Sequence, residues 1–322
     1  EWVRRHEPEI FAKVAKVLLP KDYVRLRMTG ELASDMSDSA GTLWMDVAGR
    51  KWHKPLLEAC GLTEDHMPSL HEGVEETGIL RQEAAEAWGM DRVPVVAGGG
   101  DNAAGAVGAG IVDEGDALLS LGTSGVIFVA GSEFRSNPQS AAHAFCHALP
   151  GRWHLMSVML SAASCIDWAC QATGTASAED MINLAERDAS IACKEVFLPY
   201  LSGERTPHNN PYASGVLFGL DHDSSKGQIA QAVLEGVAFG MAAGFDALLE
   251  SGIDVHSISV IGGGSQSAHW GRILAAVLKR PLVYRDGAAT GPALGAARLA
   301  RYSKLKGSFD EAFAAPRAIN VI

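Results

Sequence analysis

Asp101 closes a run of three glycines in Ala97-Gly98-Gly99-Gly100-Asp101-Asn102 and precedes the tiny-residue run Ala103-Ala104-Gly105-Ala106-Val107-Gly108. Tiny residues let a ligand approach the backbone closely, and amides at a helix start favour anions. A lone carboxylate there repels a phosphate, so it is suited to face a hydroxyl instead. In that role Asp101 accepts the proton of an oxygen that attacks a phosphoryl group. The same residue is equally suited to cap the helix expected over the Ala-rich run. On these residues alone both readings stand.

Two further glycine clusters follow. Leu121-Gly122-Thr123-Ser124-Gly125 lies between two apolar β runs, where its hydroxyls and amides could hold phosphate oxygens or simply form a hairpin turn. Ile261-Gly262-Gly263-Gly264-Ser265-Gln266 lies between a strand and a helix, where open α/β sheets bind nucleotides. Neither a G-x-G-x-x-G dinucleotide motif with its acidic partner nor a G-x-x-x-x-G-K-S/T loop is present. The Rossmann and P-loop readings are therefore weak, whereas three glycine clusters that each follow a strand favour nucleotide binding.

The elements that must position these loops change character along the chain. Residues 1 to about 91 read as helices and loops: an apolar stripe through Ile10, Val14, Val17 and Leu18 that Pro20 breaks, a helix over Lys54 to Cys60 stopped by Gly61, and one over Arg81 to Trp88 stopped by Gly89. Near residue 92 short β runs begin, and a domain boundary is expected there. Strands are expected over Val93 to Ala97, Ala117 to Leu121, Val126 to Ala130 and Trp153 to Val158, then helices over Leu160 to Ala172 and Ala178 to Arg187. A long helix follows over Ser225 to Glu250, with Gly236, Gly240 and Gly244 along one edge. Glycines on a soluble helix cost about 1 kcal/mol each against Ala, so their spacing predicts close approach of another backbone. Strand Ser257 to Ile261, helix Gln266 to Lys279, strand Leu282 to Tyr284 and helix Thr290 to Arg301 end the series. Hairpins followed by alternating strands and helices predict an α/β lobe with a mixed sheet.

Composition removes several function classes. A chain of 322 residues, 47% apolar, with a formal net charge of −11, is expected to form about two domains and to avoid nucleic acid and anionic membranes. Five cysteines without a C-x-x-C pair suggest neither a disulfide framework nor a zinc knuckle and favour the cytoplasm. No uninterrupted apolar run reaches the roughly 18 residues of a membrane span. His143, Cys146 and His147 read as structural, because strand alternation puts the cysteine on the opposite face from the histidines. Cys165 and Cys170 read as core, and Asp113, Glu114 and Asp116 as a solvated turn. The opening Glu1-Trp2-Val3-Arg4-Arg5-His6-Glu7-Pro8-Glu9 lacks an initiator Met, so the chain reads as a fragment that begins inside a domain.

The early hairpin, two phosphate loops and late Gly-Gly-Gly loop resemble one half of the actin-like (ribonuclease H-like) ATPase fold. Gly215-Val216-Leu217-Phe218-Gly219-Leu220, then seven residues, then Gln228-Ile229-Ala230-Gln231-Ala232-Val233-Leu234-Glu235, is similar to the signature of the carbohydrate (FGGY) kinase family, which includes glycerol, gluconate, ribulose and xylulose kinases. Trp2-Val3-Arg4-Arg5-His6 resembles the tail of that family's other signature. Ser34-Asp35-Met36-Ser37-Asp38-Ser39-Ala40-Gly41-Thr42-Leu43-Trp44 and Pro199-Tyr200-Leu201-Ser202-Gly203-Glu204-Arg205-Thr206-Pro207 are most similar to the bacterial branch that phosphorylates xylulose. Glycerol kinases usually carry Asp-Gln where Asp101-Asn102 stands here.

The resemblance implies Asp101 as catalytic base, Asn102 beside the sugar, Thr123 near the ATP phosphates, and Gly203, Gly263, Gly264 and Ser267 around the nucleotide. Ser267 stands where glycerol kinases place asparagine. The resemblance further implies transfer of the γ-phosphoryl of ATP, accompanied by Mg²⁺, to the 5-hydroxyl of D-xylulose. Another ketose or glycerol is the sibling reading, and a non-catalytic actin-like ATP-binding protein the reading from another class. The expected layout is a helical remnant of a sugar-binding first lobe over 1–91, an ATP-binding lobe over 92–305, and a tail over 306–322 returning to the first lobe. Such a fragment is expected to be inactive alone, and a homodimer remains open.

Overall fold

The computed structural model describes residues 1–188, 193–287, 291–305 and 307–322. Spatial packing divides the chain into two units, Glu1–Gly108 with Phe145–Trp153 and Pro292–Ala314, and Ala109–Ala144 with His154–Gly291 and Ala315–Ile322.

The first unit is built from short helices and two-stranded ribbons. Helices Lys54–Ala59 and Gln82–Trp88 form as their apolar spacing predicts, the second ending on Gly89 in the left-handed conformation. The stripe through Ile10 to Leu18 does not form one helix. The chain is helical over Pro8–Phe11 and then leaves the helix, with the Val17 amide bonded to the His66 carbonyl at 2.8 Å. Pro20 acts as a start, not a break: it opens the helix Pro20–Thr29, where its missing N–H costs nothing, and Gly30 closes it. Small cores form around Leu57, Leu62 and Met67, and around Ala40, Met45 and Cys146.

The strand ahead of the Asp101 loop, Pro94–Val96, pairs antiparallel with Glu76–Ile79 in this first unit and lies outside the large sheet. Packing therefore sets the division at residues 108 and 109, not near 92. The helix Asp101–Ala109 belongs to the first unit up to Gly108 and meets the helix Gly291–Leu305 so closely that a Cβ on Gly295 would strike the Ala104 carbonyl. Thr290, where that last helix was expected to start, lies outside the described residues.

The second unit is a layered α/β body. Its sheet contains β1 (Ala117–Leu121), β2 (Gly125–Gly131), β3 (His143–Cys146), β4 (Trp153–Met159), β5 (Ile258–Ile261), β6 (Leu282–Arg285) and β7 (Ala318–Val321) in the order β7-β6-β5-β1-β2-β4-β3. β1 and β2 are an antiparallel hairpin, β5 runs parallel to β1 and β6, and β7 pairs antiparallel with β6. The tail thus divides: Phe309–Phe313 packs with the first unit, and 318–321 forms an edge strand of the second.

The long helix Lys226–Leu249 is apolar and long enough to cross a membrane by composition, but here it is the central core helix, burying Val233, Val237, Met241, Phe245 and Leu248. Ser225 and Gln228 close its start with a reciprocal capping box. Its glycines mark the close approach their spacing predicts. A Cβ on Gly236 would strike the Phe197 carbonyl, one on Gly240 would come within 3.0 Å of Met159, and one on Gly244 within 3.0 Å of Ser157.

Candidate active-site residues

Asp101 is the first residue of its helix, whose opening hydrogen bond runs from the Ala104 amide to the Gly100 carbonyl at 2.8 Å. Its Oδ1 accepts from the Asn102 amide at 2.7 Å and from Asn102 Nδ2 at 3.1 Å. Oδ2 accepts no hydrogen bond among the described residues, and the side chain is exposed. The capping and catalytic readings are thus compatible: one oxygen is spent on the helix start and the other is available to a hydroxyl.

The second unit carries a cavity of about 610 Å³ at the carboxyl ends of β1 and β5. Gly122 and Thr123 form one edge, and Gly263, Gly264 and Ser267 another, over an apolar floor that includes Ile166, Ile182 and Trp270. Local chemistry fixes both loops. The Thr123 carbonyl accepts from the Ala162 amide at 2.9 Å and from Ser164 Oγ at 2.9 Å, tying the β1–β2 turn to the start of the helix Ala163–Thr173. Ser267 caps the helix Ala268–Leu278 by accepting from the Trp270 amide at 3.1 Å. Gly264 must be small, since a Cβ would come within 2.7 Å of the Trp270 ring. A Cβ on Gly263 would meet nothing within 4 Å, so that position opens onto free space. The Thr123 and Ser267 side of the cavity, away from the apolar floor, suits the phosphate of a ligand with a flat apolar base, while Asp167, Glu179 and Glu186 also stand in the lining.

Two sequence comparisons account for nearly all of both units. Residues 1–108 match the FGGY family of carbohydrate kinases, N-terminal domain, and residues 117–303 match the FGGY family of carbohydrate kinases, C-terminal domain. The chain belongs to this family. A xylulose kinase of Escherichia coli (strain K12) is 60% identical over 93% of this chain and 62% of its own length. A xylulose kinase of Bacillus subtilis (strain 168) is 36% identical over 94% of this chain and 60% of its own length. The crystal structure of a xyloylose kinase from Brucella ovis superposes with a TM-score of 0.95 at 44% identity, covering 100% of this chain and 66% of the other. The chain thus spans 62% of the length of its E. coli relative. The fold is the α/β actin-like ATPase fold of sugar kinases, with a mixed seven-stranded sheet.

Within this FGGY chain the residues expected to act fall into two places. Thr123, Gly263, Gly264 and Ser267 line one cavity. Asp101 and Asn102 share the first unit's loop. Gly203 is not among the cavity's lining residues. It sits in a turn with φ of 74°, where a Cβ would come within 2.6 Å of the Pro211 carbonyl, so its smallness answers a packing need.

Sequence reasoning missed the charged network under the Asp101 loop. Lys21 Nζ lies 2.6 Å from Asp22, 2.5 Å from Asp35 and 3.5 Å from Asp38. Arg25 Nη2 pairs with Asp22 at 2.6 Å and also donates to the Ala33 carbonyl, while Nη1 donates to the Ala97 carbonyl at 2.6 Å. Asp35 Oδ2 accepts from the Ser37 hydroxyl and from the Ser37 and Asp38 amides. Ser37 Oγ in turn accepts from the Gly100 amide at 3.0 Å. Burial pulls the Lys21 ammonium down, but Asp35 and Asp22 outweigh it and hold it above its ordinary value. Burial pushes the Asp38 carboxyl up despite Lys21. The only signal for this network was the family likeness of Ser34 to Trp44. Lys21, Asp22 and Arg25 follow Pro20 in a stretch where the sequence predicted no element.

Proposed function

We propose that this chain supplies the base and the nucleotide cavity of an ATP-dependent sugar kinase whose substrate is D-xylulose. The observation that carries this reading is the open carboxylate oxygen of Asp101 at the end of a glycine loop, in a chain 60% identical to a xylulose kinase. Asp101 Oδ2 accepts the proton of the sugar's 5-hydroxyl as its oxygen forms a bond to the γ-phosphorus, and the bond to the ADP oxygen breaks. Asn102, whose amide group already orients Asp101, selects the sugar, because a substrate lacking the matching hydroxyl leaves a polar group unpaired. Thr123, Gly263, Gly264 and Ser267 hold the nucleotide, with Mg²⁺ entering on the phosphates.

A cytosolic location is part of the same proposal. It is supported by five unpaired cysteines, among which burial pushes the Cys146 and Cys165 thiols up to about 12, far from the reactive range. ADP release measured across xylulose, other ketoses and glycerol with the intact protein tests the substrate assignment. The highest kcat/KM is expected for xylulose, and a preference for glycerol overturns it.

A further inference from the structure

The Asp101 loop has an unusual physical problem. Three consecutive glycines give it access to ligand but also large backbone freedom, so although Asn102 holds the Asp101 carboxylate locally, nothing within the glycine run itself fixes where the loop delivers it. The first unit supplies the missing constraint from below. Arg25 reaches the loop at Ala97, and the Ser37 hydroxyl reaches it at Gly100, so the two bonds bracket Gly98 and Gly99. A third bond runs from the Gly98 amide to the Gly73 carbonyl at 3.0 Å. Gly99 lies close against the same hydroxyl, where a Cβ would stand 3.2 Å from Ser37 Oγ.

The anchors are themselves held. Asp22, Arg25, Asp35 and Ser37 are each at most 5% exposed. Asp35 receives the Ser37 hydroxyl and two backbone amides on one oxygen and Lys21 on the other. Asp22 receives Arg25, Lys21 and the Ser34 hydroxyl. Buried ion pairs are costly to desolvate and are a weak source of stability, so a network of this density invites a role beyond holding the fold. Two of its bonds, one from Arg25 and one to Ser37, end on the same glycine loop.

We propose that Ser37 and Arg25 are positioning residues for the catalytic base, locking the glycine loop so that Asp101 is presented in one orientation. The inference rests on the reading of Asp101 as base. Ser37 and Arg25 touch no reacting atom and act only through the loop. Because misplacement of a reacting group by about 1 Å can cost on the order of 100-fold in rate, a single lost anchor has a kinetic signature.

The test is Ser37→Ala in the intact protein, which deletes one oxygen and leaves Asp35 its amide donors. The expected result is a fall in kcat of about 10- to 100-fold, with KM for ATP and the melting temperature unchanged. In an Asp101→Asn background the same substitution is expected to have almost no further effect on residual turnover, since the base it positions is gone. Unchanged kcat in Ser37→Ala overturns the inference, as does a fall in kcat matched by losses in ATP binding and melting temperature. Arg25→Lys, which keeps a cation beside Asp22 but shortens the reach to Ala97, is the second arm. It is expected to lower kcat in the same way. If neither variant yields folded protein, the network is structural support and the inference fails. Unchanged turnover in Asp101→Asn alone sinks the reading of the base, whereas a dead Asp101→Asn beside a normal Ser37→Ala sinks only the positioning role.

Discussion

Carboxylates in this chain differ in what surrounds them, and that difference separates structure from chemistry. Asp35 is fully buried and its oxygens are taken up by Lys21, Ser37 and backbone amides, so it serves the fold of its loop. Asp101 is exposed, and its Oδ2 accepts no hydrogen bond among the described residues. Glu204 is a third case. It is 3% exposed, and burial raises its carboxyl above the ordinary 4.5 even though the Arg205 and Leu160 amides both donate to Oε1 and pull the other way. A carboxyl raised in the folded state binds its proton more tightly there than in the unfolded chain. Its contribution is therefore complete below the unfolded value and is lost as pH rises through the folded one. Glu204→Gln keeps the acceptor and removes the charge. Urea denaturation should show the variant gaining stability relative to the native protein as pH increases from about 4 to about 7. A difference that does not change with pH would contradict the assignment. Asp101 was legible in the sequence because three glycines flag it. Lys21 and Arg25 were not, because their roles depend on Asp35 and Ala97, which the sequence does not place beside them.

At the scale of elements, the helices and strands with strong local signals formed where their residues predict. Lys226–Leu249 carries a capping box at its start and an apolar face through its length, and β1 and β2 keep the boundaries of their apolar runs to within a residue. The failures were of proline and of partner. Pro20 looked like a break but began the helix whose residues carry the network, and Pro94–Val96 looked like the first strand of the large sheet but pairs in the first unit. Glycines gave the most transferable lesson, because the same residue type has two causes. Gly236→Ala places a methyl against the Phe197 carbonyl. The crowding, about 1–3 kcal/mol, outweighs the helix propensity gained, about 1 kcal/mol, so denaturation should show a net loss of stability. Gly263→Ala places a methyl in open space beside the cavity, so stability should hold while ATP affinity measured by titration calorimetry falls. Equal loss of stability in both variants would remove the distinction between a packing glycine and a ligand glycine.

At the scale of the whole molecule, the fold class and the glycine loops that line the cavity were readable, because glycine clusters after strands are local in sequence. The division into units was not. It depends on pairs such as Ala104 with Gly295, and on an edge strand at 318–321, whose partners lie far along the chain and leave no local trace. Each unit has its own core: the first carries a carboxylate on a braced glycine loop, the second a cavity with Thr123 and Ser267 in its lining. The role proposed for the Asp101 carboxylate is the central claim. The most direct measurement is ADP release by Asp101→Asn with saturating xylulose and ATP, alongside ATP binding to the same variant. Loss of the base predicts a fall in kcat of about 100- to 10,000-fold with ATP affinity retained. Native turnover by a variant that still binds ATP would contradict it.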